Sequence, residues 1–279
     1  MPPTVGRLAP TPSGRLHLGN VCAFAAAWLS VRAAGGRLLF RVEDVDQPRA
    51  RADIAESIRT DLRWLGLDWD AETPPQSARD YGPWLERLRP GLYYCSCTRA
   101  AVQEAGGRYP GTCRSRGLTE GALRYRLPDT TVTIVDRLRG PQQIALGDLG
   151  DPVLRRRDGV YTYTLAVVAD DVADGVREVV RGADLLEQSA VQAVLWEAFG
   201  ARCPTWLHTP LILGADGRKL SKSHRAAHVG DLQAAGLSPR DVWRIVLPWL
   251  GIDGDASLEQ AVEMFDPSRI ALGPLTWPG

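Results

Sequence analysis

Lysine is almost missing from this chain. Of the 33 basic residues in 279, only Lys219 and Lys222 are lysine, and the rest are arginine. A coding bias towards arginine accounts for the depletion, but not for the two survivors standing three residues apart. Net charge is missing too. The 33 Asp and Glu balance the 33 basic residues, so any nucleic acid must be met by a local basic face. No long apolar run is present. Residues 16–31 form a 16-residue uncharged stretch, and it carries His17, Gly19 and Asn20, whereas a membrane span needs about 20 mostly apolar residues. The opening MPPTVGRLAP lacks the basic-then-apolar plan of a secretory signal, so no membrane and a cytoplasmic location are expected. The five cysteines (Cys22, Cys95, Cys97, Cys113 and Cys203) are odd in number and unevenly spread, which argues against a disulfide framework. Internal repeats and low-complexity linkers are absent. General disorder is excluded by 44% apolar residues.

What is present reads as strand, glycine-bearing loop, helix, strand, helix. Val5 to Leu8 is a short apolar strand, APTPSG (9–14) a turn-rich loop, and 18–34 a helix closed by Gly35-Gly36. RLLFRV is a strand ending in Glu43, Asp44 and Asp46. A second helix begins near Asp53, with Ile54, Ile58, Leu62 and Leu65 on one stripe. This is the grammar of an α/β, Rossmann-like, doubly wound parallel sheet. Between about Tyr93 and Tyr161 it gives way to short β-like runs, a turn at Asp158-Gly159 and three of the cysteines, a stretch that reads as an insertion. The α/β pattern resumes with a strand at 177–182, a helix at 185–199 and a strand at 206–213, before short helices from Ser238. The expected units are a catalytic domain over 1–92 and 178–237, an inserted α+β subdomain over 93–177, and a short helical part over 238–279.

Three constellations carry chemistry. RLHLGN (15–20) sits at a helix start, where unpaired N–H groups and the positive dipole end suit a phosphate. Gly19 permits close backbone approach, and His17 can add a hydrogen bond. The plainer reading is a helix start that His17 merely caps. GADGRKLSKS (214–223) places two ammonium groups and two hydroxyls within five residues, a loop suited to clamp an anion with compact point charges. The plainer reading, a solvated basic loop, is weakened by the scarcity of lysine elsewhere. Cys95, Cys97, Tyr109 and Cys113 offer ligands for tetrahedral zinc. By spacing alone, three free thiols remain an equal alternative. Cys22 and Cys203 lie on apolar-flanked segments and read as buried thiols. His208 is either an adenine-side contact or a satisfied core histidine, and His224 and His228 read as loop residues.

RLAPTPSGRLHLGN resembles the HIGH signature of class I aminoacyl-tRNA synthetases, and KLSKS resembles KMSKS. With LLFRVEDVD the resemblance narrows to the glutamyl-tRNA synthetase branch. A glutamate-type core, only about 56 residues after Ser223 and a cysteine-bearing insertion are together similar to the glutamyl-Q tRNA(Asp) synthetase family, without an anticodon-binding domain. The resemblance implies an ATP site at His17, Gly19, Asn20, Lys219, Leu220, Ser221, Lys222 and Ser223. Lys222, Lys219 and His17 would stabilise the transferring phosphate. It implies a glutamate site at Arg7, Leu8, Ala9, Pro10, Thr11, Glu43, Tyr163 and Arg181. The chemistry agrees: two carboxylates and one ammonium call for cationic forks and an anion. In plainer readings Glu43 caps a strand end and Arg181 pairs with Asp184. The resemblance also implies one structural Zn²⁺ on Cys95, Cys97, Tyr109 and Cys113. Asn20 departs from the signature, which has a second histidine there. Asn donates a hydrogen bond but carries no charge. The implied activity is tRNA-independent formation of glutamyl-adenylate from L-glutamate and ATP with Mg²⁺, then transfer to queuosine in the anticodon of tRNA(Asp). The expected partners are L-glutamate, ATP and tRNA(Asp), and the expected state is a monomer. The alternative is a glutamate ligase acting on a tRNA 3′ end or another acceptor.

Overall fold

The computed structural model describes residues 3–220 and 227–278. In chain order the elements begin β1 (Val5–Leu8), α1 (Leu18–Ala33), β2 (Arg37–Phe40), α2 (Ala52–Trp64), β3 (Ala71–Glu72), α3 (Gly82–Arg87), β4 (Leu92–Cys95) and α4 (Arg99–Glu104). They continue with β5 (Ala122–Tyr125), β6 (Thr131–Asp136), β7 (Gly140–Ala145), β8 (Val153–Arg155), α5 (Tyr163–Ala173), β9 (Glu178–Gly182), α6 (Leu186–Ala198) and β10 (Thr205–Thr209). The rest are β11 (Ile212–Leu213), α7 (Val229–Ala234), α8 (Pro239–Trp249), α9 (Leu258–Met264) and β12 (Leu275–Thr276).

Two half-sheets make the centre. β1, β2 and β3 pair in parallel, in that order. β9, β10 and β6 also pair in parallel, and β7 closes that edge as an antiparallel hairpin. The halves join at one seam, where Arg177 N–H donates to Val5 C=O at 2.8 Å. Strand alternation assigns the two faces. Leu8, Leu38, Phe40, Val180 and Leu207 share a core with α1. A Cβ on Gly6 would come 2.4 Å from Val31 of α1, so only glycine allows this helix to lie so close. The alternate residues Arg7, Arg41, Arg181 and His208 face α5 and α6. Helices therefore cover both faces, as parallel sheets require.

α1 is buried on nearly every side, since α8 and α9 also pack on it. Trp243 of α8 donates its indole N–H to Leu65 C=O at 3.0 Å, tying the C-terminal helices to the core. α8 starts with a capping box between Ser238 and Asp241, and Pro239 occupies its first turn. α2 begins at Ala52, beside the expected start at Asp53, and its N-cap Arg51 makes no side-chain cap bond.

The stretch 93–161 divides between two structures. β4, β5 and β8 form a separate antiparallel sheet. The β6–β7 hairpin instead extends the catalytic sheet, through Trp206 paired with Asp136. The span 93–177 expected as an inserted subdomain thus includes a hairpin that pairs with the catalytic sheet. Among the described residues no helix is long and apolar enough to cross a membrane.

Candidate active site

The C-terminal ends of β1, β9 and β10 and the start of α1 enclose a cleft of about 440 Å³. It opens at the seam, where strand order reverses between the half-sheets, and ligands of open α/β sheets bind in such crevices. Arg7 Nη1 spans the seam to Val180 C=O at 3.3 Å.

One end of the cleft is built by the start of α1. His17 is its N-cap. The ring Nδ1 accepts from Asn20 N–H at 3.3 Å, and Asn20 Oδ1 accepts from His17 N–H at 3.2 Å. The capping reading is therefore correct, and both residues also line the cleft. A Cβ on Gly19 would press on the imidazole at 3.1 Å, so glycine suits this cap. Lys219 and Leu220 reach the same cleft. Leu220 is buried, and its N–H donates to Ile212 C=O at 2.7 Å. Lys219 Nζ donates to the Asp184 carboxylate. Asp184 thus pairs with Lys219 and not with Arg181, contrary to the plainer expectation for Arg181. Ser221, Lys222, Ser223 and His224 lie outside the described residues.

The other end collects Arg7, Ala9, Pro10, Thr11, Glu43, Tyr163 and Arg181. Leu8 does not join them: it is fully buried against α1, on the opposite strand face. A buried ion network backs this end. Asp171 accepts from Arg7 Nε at 3.4 Å and from Arg41 Nη2 at 2.6 Å. Arg41 also reaches Glu43 at 3.4 Å and Asp174 at 2.9 Å. Asp170 is held by Gln76 at 2.9 Å and Tyr81 at 3.1 Å. Burial pushes the Glu43 carboxyl up to about 7, against the opposing pull of Arg41 and Arg7. Glu43 is no exposed strand cap. Arg181 is also buried, which lowers its pKa, and its Nη1 faces the Tyr163 hydroxyl at 3.4 Å. Buried cations and one poised carboxyl share a small cleft, an arrangement that can hold a zwitterion with a second carboxylate.

Arg41, Asp170 and Asp171 escape a motif-based reading. A signal was available for Asp170, because Asp170 and Asp174 stand seven and eleven residues after Tyr163, on its own helical face in a largely apolar segment. His208 does not line the cleft. It is fully buried, with Nδ1 2.7 Å from Asp136 Oδ2 and Nε2 2.9 Å from Ser189 Oγ, so of its two readings the satisfied core histidine holds. Cys22 is buried, which pushes its thiol up to about 12. Cys203 is exposed, contrary to expectation, because it lies in the loop between α6 and β10.

Away from the cleft, the sulfurs of Cys95, Cys97 and Cys113 lie within 4.8 Å of one another. Cys97 and Cys113 Sγ are 3.7 Å apart, close to the roughly 3.8 Å edge of a tetrahedron with 2.3 Å metal–sulfur bonds. Tyr109 brings its hydroxyl to the same point, where it accepts from Cys113 N–H at 2.8 Å. Burial opposes ionisation of Cys113, yet bonds from Ser96 N–H, Cys97 and Tyr109 bring its thiol down to about 6. The donor set fits a metal ion. The Arg124 guanidinium stacks on Tyr109 at 3.8 Å. Beside the cluster an open groove of about 970 Å³ is lined by Arg99, Arg124, Arg156 and Arg157.

Comparison with known proteins agrees with this architecture. The family of class I tRNA synthetases (E and Q), catalytic domain, matches residues 4–105 and 114–264. The glutamyl-Q tRNA(Asp) synthetase of Nitratidesulfovibrio vulgaris is 45% identical over 271 residues, covering 85% of this chain and 83% of that protein. The protein of the same name from Symbiobacterium thermophilum is 40% identical over 310 residues, covering 98% and 95%. The crystal structure of glutamate-tRNA synthetase from Elizabethkingia anophelis superposes with a TM-score of 0.85 at 25% identity, over 99% of this chain and 68% of that one. The chain belongs to the class I (E and Q) tRNA synthetase family of ligases, with relatives named glutamyl-Q tRNA(Asp) synthetase.

Proposed function

We propose that this chain activates L-glutamate with ATP and transfers the glutamyl group to queuosine in the anticodon of tRNA(Asp). The observation that carries the first half is the joining, in one cleft, of a capped helix start with Lys219 and a buried charge set matched to glutamate. Arg7 and Arg181 take the side-chain carboxylate, Tyr163 adds its hydroxyl, and Glu43 takes the α-ammonium. Ala9, Pro10 and Thr11 shape the wall. ATP lies over His17, Gly19 and Asn20, with Leu220, Ser221 and Ser223 beside its phosphates. Mg²⁺, bound with ATP, offsets phosphate charge. The α-carboxylate oxygen attacks the α-phosphorus, the bond to the bridging oxygen of pyrophosphate breaks, and glutamyl-adenylate forms. No enzyme nucleophile is needed, because positioning and charge neutralisation suffice. Lys222 and Lys219 meet the charge that develops.

Transfer to queuosine is drawn from the names of the relatives and rests on them. The arginine-lined groove of the β4–β5–β8 sheet gives a locally basic face for the RNA backbone in a chain without net charge. One Zn²⁺ on Cys95, Cys97, Tyr109 and Cys113 would brace that sheet, and its role there is structural because four protein ligands close the site.

The test is ATP–pyrophosphate exchange with glutamate, glutamine and aspartate, each with and without tRNA. Exchange is expected with glutamate alone and without tRNA. Strict dependence on tRNA would refute tRNA-independent activation. Release of the attached glutamate by mild alkali from an internal nucleoside, with no 3′-aminoacyl product, supports queuosine. A 3′-aminoacyl product would instead assign the chain as an acceptor-end ligase.

A further inference from the structure

Arg181 is held by a chain of groups that the cleft itself does not use. It begins at Asp136, the last residue of β6, 1% exposed. Its Oδ1 accepts from Leu138 N–H at 2.9 Å and Arg139 N–H at 2.8 Å. Its Oδ2 accepts from His208 N–H at 2.9 Å and lies 2.7 Å from His208 Nδ1. A carboxylate that accepts at every turn fixes the histidine with its proton on Nδ1. Nε2 is then an acceptor. Ser189 Oγ is 2.9 Å from it, and Arg181 Nε is 3.4 Å from it. Ser189 Oγ in turn accepts from Arg181 Nη2 at 2.6 Å, and Leu185 C=O accepts from the same nitrogen at 3.2 Å. The face of the guanidinium lies on the Trp206 ring at 4.9 Å, and that ring stacks on His208.

A guanidinium has five N–H donors. Three are engaged at the rear, the one on Nε and the pair on Nη2. On the cleft side Nη1 donates one N–H to the Tyr163 hydroxyl at 3.4 Å, and its other N–H is left for a ligand. We propose that Asp136, His208 and Ser189 are positioning residues that fix this edge of Arg181 in the cleft and thereby set the preference for a substrate carboxylate over a carboxamide. A donor that cannot turn away finds an acceptor at either oxygen of a carboxylate, but at only one end of a carboxamide, whose NH₂ it repels. The inference rests on the glutamate reading of the cleft. It also gives the β6–β7 hairpin a part in amino-acid selection, through the one residue by which it pairs with β10.

The experiment is exchange kinetics of the full-length wild type, Ser189→Ala and Asp136→Asn, with glutamate and glutamine as substrates. Ser189→Ala removes one hydroxyl and leaves the packing of Trp206 and Leu185. Its KM for glutamate is expected to rise about tenfold, the range for a lost charge-assisted hydrogen bond. Its KM for ATP should stay within about twofold, and the glutamate-to-glutamine ratio of kcat/KM should fall by about as much as the glutamate KM rises. Asp136→Asn is expected to show the same pattern, because an amide there moves the proton to Nε2 and turns an acceptor towards two donors into a third donor. If Asp136→Asn does not fold, Ser189→Ala decides alone. An unchanged glutamate KM in folded Ser189→Ala, or parallel rises for glutamate and ATP, overturns the positioning role while leaving the glutamate reading intact. A wild type without glutamate-dependent exchange overturns both.

Discussion

Replacing Glu43 by glutamine should make the unliganded protein more stable and a worse enzyme. The displacement of its pKa from 4.5 to about 7 corresponds to about 3 kcal/mol, at 1.36 kcal/mol for each pH unit. The sign follows from linkage. Below pH 4.5 the carboxyl is protonated in both folded and unfolded chains, and no difference arises. As pH rises from 4.5 to 7 the unfolded chain releases this proton and the folded chain keeps it, so folding stability falls. Above pH 7 the whole cost of about 3 kcal/mol is present. Glutamine resembles the protonated carboxyl and carries no such cost. Glu43→Gln should therefore match the wild type near pH 4.5 and exceed it by up to about 3 kcal/mol at pH 8. For a chain of this size that is a rise of roughly 6–12 °C in Tm. Thermal unfolding followed at both pH values, without substrate, measures it. A variant equally or less stable at pH 8, or a difference that does not change with pH, refutes a buried, destabilising Glu43 carboxylate. The cost in function has the same origin. A substrate ammonium needs the ionised form, so the wild-type KM for glutamate should rise as pH falls below 7, and Glu43→Gln should lose that dependence along with affinity.

The two lysines separate charge from shape. Lys222→Ala and Lys219→Ala should each lower exchange kcat by about 10²-fold or more, whereas Lys219→Ala should move stability by no more than about 1 kcal/mol, because its pair with Asp184 is exposed. Full exchange activity in Lys219→Arg and Lys222→Arg would refute the idea that a compact ammonium is required. Cys113→Ser should lower bound zinc, measured by metal analysis of protein purified without chelator, from one per chain towards none. Wild type holding far less than one would remove the metal from the reading. Arg156→Ala with Arg157→Ala should weaken tRNA binding and flatten its salt dependence by about two ions, with glutamate-dependent exchange unchanged. An unchanged salt slope would place the RNA elsewhere.

The first half-sheet was legible because β1, α1 and β2 are local in sequence, and each announces itself by its own period and its own turn residues. So was the start of α1, since RLHLGN carries the cap in the motif. The Cys95, Cys97, Tyr109 and Cys113 cluster was legible only as a choice, because spacing does not say whether sulfurs converge. The β6–β7 hairpin was not, since its attachment to β10 rests on pairing between residues seventy apart, Asp136 and Trp206. The buried acids were hidden by type. Asp170 and Asp171 stand in an apolar helix without any motif, and their meaning depends on Arg7 and Arg41 arriving from other strands. His208 shows the opposite limit. A histidine on a strand beside a cleft suggests contact with a ligand, yet alternation turns it to the face of α6, one layer behind Arg181.

The seam between β1 and β9 gives the molecule a natural line of parting. Arg7 stands on one bank and Arg181 on the other, and the Arg177–Val5 bond and the Arg7–Val180 bond cross between the strands. In the proposed glutamate site, a dicarboxylate lying across both arginines would act as a clasp. It would add bonds from bank to bank, so ligand and sheet would stabilise each other. Saturation with glutamate should then slow amide hydrogen exchange along both strands together, at positions that touch no ligand.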